Sequence, residues 1–149
     1  MAHTHINSPD HVVFSTKRRL PMIRPEFRAR LYEYMAGIAK HEFGMALMIG
    51  GTENHLHALL SIDPEVSLAA AVRKFKCLSS KWVHEKLGVK EFGWQIGYAS
   101  FGVSPDRISV VSKYIANQEQ HHHRRTFEEE FVALLNKAGI KYDPRHLFD

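Results

Sequence analysis

Residues 45–62 read Met-Ala-Leu-Met-Ile-Gly-Gly-Thr-Glu-Asn-His-Leu-His-Ala-Leu-Leu-Ser-Ile. Met45 to Ile49 and His55 to Ile62 are short apolar runs, separated by the turn formers Gly50-Gly51-Thr52-Glu53-Asn54. Two antiparallel strands joined as a hairpin are the expectation. Upstream, Asp10 to Lys17 alternates Val12, Phe14 and Thr16 against His11, Val13 and Ser15, which predicts a strand. From Pro25, a favoured first helical residue, Phe27, Leu31, Met35 and Ile38 recur at helical spacing until Gly44. Downstream, Ser67 is placed to cap a helix carrying Leu68, Val72, Phe75, Trp82 and Val83 and ending before Gly88. Tyr98 to Val103 predicts a short strand. Ser104-Pro105-Asp106 then starts a helix that should run to about His123, and Thr126 with Glu129 has capping-box spacing before a last helix closed by Gly139. The order is βαββαβ, the split-βαβ arrangement of an α+β ferredoxin-like fold: an antiparallel sheet with helices on one face, followed by two further helices.

The chain of 149 residues carries 20 Lys and Arg against 16 Asp and Glu, giving a formal charge of +4, with 11 His. That length suits one domain over residues 1–149, with no repeat and no linker. Hydrophobic residues at 44% and charged residues at 24% exclude disordered and low-complexity classes. Met45 to Gly51 is far short of the roughly 20 apolar residues that cross a bilayer. His3, His5, Asn7, Asp10 and His11 interrupt any signal-like apolar segment. The single cysteine, Cys77, excludes an intrachain disulfide, so a reducing cytoplasm is expected, and Cys77 itself is expected to be a buried or half-buried thiol within its helix. A pI of about 9.3 permits a polyanionic partner without requiring one.

In His55-Leu56-His57 the period of two puts both imidazoles on one strand face, about 6.5–7 Å apart at Cα and able to converge on one divalent ion. The same pattern suits two histidines on the polar face of a half-buried strand. His3-Thr4-His5 repeats the spacing outside the predicted core. Tyr114 and Gln118, four residues apart, project from one side of a helix beside Ile108, Val111 and Ile115, where simple packing would also place them. With two histidines facing it, Gln118 becomes a neutral oxygen ligand suited to a hard ion. His121 lies three residues beyond Gln118 on the same side and is a candidate accessory ligand; the tract His121-His122-His123-Arg124-Arg125 reads as a solvated helix end, a metal tract or a phosphate cluster. Arg73, Lys74, Lys76 and Lys81, beside Trp82, form an ordinary solvated face or a grip on a nucleic-acid backbone.

Asn54-His55-Leu56-His57, followed about 55 residues later by Tyr114-Ile115-Ala116-Asn117-Gln118, resembles the small HUH single-strand transposases, the one-tyrosine enzymes of insertion sequences and their relatives associated with repetitive extragenic palindromes. His11-Val12-Val13-Phe14-Ser15-Thr16-Lys17, Trp94-Gln95 with Tyr98 and Phe101, and Phe127-Glu128-Glu129-Glu130-Phe131 extend the resemblance over nearly the whole chain. It implies a nuclease and strand transferase acting on single-stranded DNA with hairpin or palindromic ends. His55, His57 and Gln118 would hold Mg²⁺ or Mn²⁺, and Tyr114 would form a 5′-phosphotyrosine. It also implies a homodimer whose sites combine residues of one subunit or of both. The competing expectations are a domesticated, non-catalytic hairpin-binding protein, a replication-initiator nickase, for whose usual helicase or relaxase regions this chain has no room, and a small phosphoesterase, which would not need Tyr114.

Overall fold

The computed structural model describes residues 4–149; His3 lies outside the described residues, and its neighbour His5 is exposed. The elements are β1 (Asp10–Ser15), α1 (Pro25–Glu42), β2 (Gly44–Gly51), β3 (His55–Ile62), α2 (Leu68–Leu87), β4 (Ala99–Gly102), α3 (Ile108–Ala116), α4 (Gln118–His121) and α5 (Phe127–Lys137). All pairings are antiparallel and the strand order is β2-β3-β1-β4, so the two central strands are separated in sequence by the first helix and one hairpin arm. This is the expected α+β, split-βαβ sheet.

Local chemistry explains most boundaries. The Ser67 side chain accepts from the Ala70 amide, and Gly88, at φ 70°, turns the chain out of α2 in the left-handed region. Thr126 and Glu129 make the reciprocal capping box of α5. Ser104 makes no side-chain cap; Pro105–Arg107 form a 3-10 turn instead. The long helix expected to reach His123 is broken at Asn117, whose backbone leaves helical values (φ −100°, ψ 23°) and divides α3 from α4. Asparagine favours such departures because its amide competes for backbone hydrogen bonds.

Strand alternation distributes the core. Val12 and Phe14 of β1 and Leu56, Ala58 and Leu60 of β3 face α1 and α2 in one continuous apolar cluster. On the opposite face Val13 meets Phe127, Phe131 and Leu135 of α5, and Leu59 meets Ile115 of α3. The helices following the βαββαβ unit therefore cover the second face of the sheet. Gly50 is what lets α3 seat there: a Cβ on it would lie 2.2 Å from the Ile115 carbonyl oxygen. Cys77, expected to be buried or half-buried, is exposed, because it falls on the outer side of α2, two residues past the buried Phe75. Among the described residues no helix is long and apolar enough to cross a membrane.

Candidate active site

The same alternation that sends Leu56 and Ala58 into the apolar core sends His55 and His57 to the other face, where both are fully buried. A polar, half-wet face was the simple expectation from sequence; α3, α4 and α5 remove it from water. The His55 ring stacks on Phe127 with centroids 4.3 Å apart. Its Nδ1 lies 2.9 Å from Asn54 Oδ1, which can only accept, so Nδ1 carries the proton and Nε2 keeps its lone pair. That lone pair faces two further acceptors, Gln118 Oε1 at 3.0 Å and Glu130 Oε1 at 3.5 Å. Acceptors turned towards one another with no proton between them are what a cation site requires. The donor atoms of His55, His122 and Glu130 lie within 4.8 Å of one another, a group able to hold a metal ion.

Glu130 is the centre of this cluster. It is 1% exposed and projects inward from α5. Oε1 accepts from His57 Nε2 at 3.0 Å and His122 Nε2 at 3.1 Å, while Oε2 accepts from Gln118 Nε2 at 3.0 Å. The Tyr114 hydroxyl also donates to Oε2. Behind His57, its Nδ1 accepts from His11 Nε2 at 2.8 Å, a contact made diagonally across β1 and β3, since His11 pairs with Leu59 and His57 with Val13. Tyr114, Gln118, both histidines and Glu130 thus meet within one chain.

Burial sets the protonation states. It pushes His57 down to about 4, against the hydrogen bond and charge of Glu130, and pushes His11 down to about 3. Both are neutral at physiological pH. Burial also raises Glu130, but hydrogen bonds from His122 foremost and from His57 outweigh it and hold the carboxyl well below its usual range. For His122 burial is likewise overcome, here by the Glu130 hydrogen bond and charge, and its pKa is raised. Tyr114 is held well above the ordinary tyrosine value by burial and by its bond to Glu130.

Of the residues proposed from sequence, Tyr114, His55, His57 and Gln118 converge. His121 does not reach the cluster: its ring lies against Tyr114, centroids 4.7 Å apart, and it lines an outer cavity of about 550 Å³ with His123, Arg124 and Arg125. His122, four residues after Gln118 on the same side, reaches the cluster instead. The basic residues of α2 sit in the helical layer across the sheet from the cluster. Arg73 and Lys81 are exposed, and Lys74 pairs with Glu42 at 3.1 Å. Lys76 donates to the carbonyls of Gln95, Ile96 and Gly97 at 3.0, 3.2 and 2.6 Å, a clamp on the loop before β4, and its burial pushes its pKa down to about 8.

The family described as "Transposase IS200 like" matches residues 5–118, which include both histidines, Tyr114 and Gln118. The chain belongs to the IS200-like transposase family. Among solved structures it is similar to a Deinococcus radiodurans protein assigned as a transposase (18% identity, TM-score 0.61, 79% of this chain and 96% of that one). It is also similar to a REP-associated tyrosine transposase bound to a REP hairpin (14% identity, TM-score 0.55, 89% of this chain and 86% of that one). At these identities the likeness is one of fold. No curated protein matches the chain.

Sequence reasoning did not single out three residues of this IS200-like transposase site. Glu130 reads as the third acid of the run Glu128-Glu129-Glu130, yet it occupies an inward position of the stripe Phe127, Phe131 and Leu135, where an acid is anomalous. His122, four residues beyond Gln118, shares its side by ordinary helical spacing but stands beside His121 in a run of three histidines, where spacing alone does not choose between them. His11 becomes visible only through the register of β1 on β3.

Proposed function

We propose that this IS200-like transposase cleaves and rejoins single-stranded DNA at hairpin-bearing or palindromic ends, with Tyr114 as nucleophile and residues 1–149 acting as one HUH domain. The observation that carries the proposal is the convergence of Tyr114 on two fully buried histidines and Gln118 in a chain of this family. Support for a hairpin substrate comes from the REP hairpin bound by the structurally similar transposase.

His55, His57 and Gln118 would hold one Mg²⁺ or Mn²⁺, and the acceptor cluster fits such a hard ion. When bound, the ion supplies Lewis-acid polarisation of the scissile phosphate. Tyr114 attacks phosphorus: an Oη–P bond forms, the P–O3′ bond breaks, the tyrosine proton is given up, and the departing 3′ oxygen takes a proton to become a free 3′-OH. The product is a 5′-phosphotyrosine, and the reverse attack by a 3′-OH rejoins DNA without ATP. Tyr114 needs this help because its own pKa is raised, so unaided it is a weak nucleophile. Glu130 fixes the direction of Oη through its hydrogen bond. Neutral His57 is kept in orientation by His11.

Arg124 and Arg125 line the cavity outside Tyr114 and are suited to the flanking phosphates, with Arg73 and Lys81 as a secondary grip; Lys74 and Lys76, also expected there, are already engaged. The protein acts in a reducing compartment, consistent with one free thiol, and assembles as a homodimer through a sheet edge. Sedimentation at micromolar concentration showing only a 17.1 kDa species would reject the dimer. The central test is incubation with a labelled hairpin-bearing strand and Mg²⁺. Wild type should yield a protein-linked 5′ product, and Tyr114→Phe should bind the strand and yield none. An adduct on the Phe variant would remove Tyr114 from its role.

A further inference from the structure

Glu130 presents a physical anomaly beyond its place in the cluster. It is a carboxylate buried to 1% exposure, and among the described residues the basic nitrogens within 3.5 Å of it all belong to imidazoles: His55, His57 and His122. No Lys or Arg among those residues forms a salt bridge with it. A buried charge is ordinarily paired with a permanent counter-ion or coordinated to a metal, because removing it from water is costly. The carboxylate also divides its work cleanly. Oε1 is turned to the three imidazoles, and Oε2 to Tyr114 and Gln118. The His55 Nε2 lone pair and Gln118 Oε1 point into the same space, which therefore holds several acceptors.

We infer that Glu130 is the anionic ligand of the divalent ion, contributing Oε1 beside His55, His57 and Gln118 while Oε2 keeps its hydrogen bond to Tyr114. The inference rests on the metal site of the proposed function and deepens it. Three neutral ligands leave the full charge of the ion uncompensated in a buried site, whereas one carboxylate halves it, and ligand charge strongly sets the affinity of hard cations. For His57 to join, its proton must leave Nε2 for Nδ1, and His11 Nε2 is placed to accept the reversed hydrogen bond. The final helix thus supplies a ligand to a site otherwise built from β3 and the α3–α4 segment.

Calorimetric titration of the DNA-free full chain with Mn²⁺ tests the assignment. Wild type should bind one ion. Glu130→Gln, which keeps size and an acceptor oxygen, should weaken binding by about tenfold or more. Glu128→Gln, a neighbour on α5 outside the cluster, should bind as wild type does. Unchanged Mn²⁺ affinity in a natively folded Glu130→Gln protein overturns the inference. If that variant does not fold, a crystal structure of wild type with Mn²⁺ decides: a Glu130 oxygen about 2.1–2.3 Å from the anomalous peak supports ligation, and a peak bound by the other residues alone rejects it. These readouts use no DNA, so loss of the Tyr114 adduct and loss of Glu130-dependent metal binding are separable results.

Discussion

The two faces of β3 are equally buried and chemically opposite. Leu56, Ala58 and Leu60 meet α1 and α2 in an apolar cluster, whereas His55 and His57, one residue out of phase, meet Glu130, Gln118 and Tyr114. Burial on the first face releases water from apolar surface and stabilises the fold. On the second it strips water from groups that prefer it, so each must find a partner, and the partners come from three separate helices. One strand therefore ties an apolar layer to a polar one, and the contrast can be tested from both sides.

The largest effects should separate the faces. His55→Ala combined with His57→Ala should abolish hairpin cleavage while hairpin binding persists, and Phe14→Ala, which opens the apolar layer, should lower unfolding free energy by about 3–5 kcal/mol with adduct yield per folded molecule unchanged. Urea denaturation and the adduct assay on both proteins check this; cleavage retained by the double variant would undo the contrast. A smaller effect is expected where the layers touch through the backbone. Gly50→Ala forces α3 away from β2 and should cost about 1–3 kcal/mol while slowing adduct formation, because Tyr114 precedes the Ile115 carbonyl that must move. Stopped-flow adduct kinetics at normal rate would show that α3 tolerates the shift.

Acid should act through the polar face. In the metal-free protein His11 and His57 titrate at about 3 and about 4 when folded but near 6.5 when unfolded, so the unfolded chain binds protons that the folded chain does not. Their stabilisation is complete above about pH 6.5 and is lost as pH falls towards 4, with a limiting slope of about 1.4 kcal/mol per unit for each group. Glu130, held low when folded, adds a loss of the same sign below its ordinary range. His122 acts oppositely: its raised value gives stability present below about pH 6.5 and lost as pH rises through its folded pKa. Thermal melts should therefore fall between pH 6.5 and 4; a flat profile there would mean that the buried imidazoles are not neutral. The mildest effects concern charge. Arg125→Gln should reduce the slope of log K against log salt for single-stranded DNA by about 0.7, whereas Lys76→Met should leave that slope alone and loosen the loop at Gln95–Gly97. Equal slopes for all three proteins would move the strand off the cavity.

Much of this molecule is legible in one dimension because short-range geometry is periodic. The β-period put His55 and His57 on one face and Leu56 opposite, Ser67 and Thr126 marked helix starts that the side-chain caps realise, and the run of elements implied the sheet. Helical spacing brought Tyr114 and Gln118 together, and it survives the break at Asn117 because the two side chains still reach the same carboxylate. What spacing does not carry is contact between distant segments. Glu130 reads as one of three acids in a first turn until α5 is laid against β3, His11 as a strand residue until its register places it diagonal to His57, and Lys76 as a free cation until the loop at Gln95–Gly97 closes over it. Local propensity and pattern act over a few residues, so sequence alone determined the elements and the family chemistry they present. The burial, protonation and partners of the site follow from which helices cover the second face of the sheet, and that is decided by packing between distant segments, His55 against Gln118 at 63 positions and His57 against Glu130 at 73.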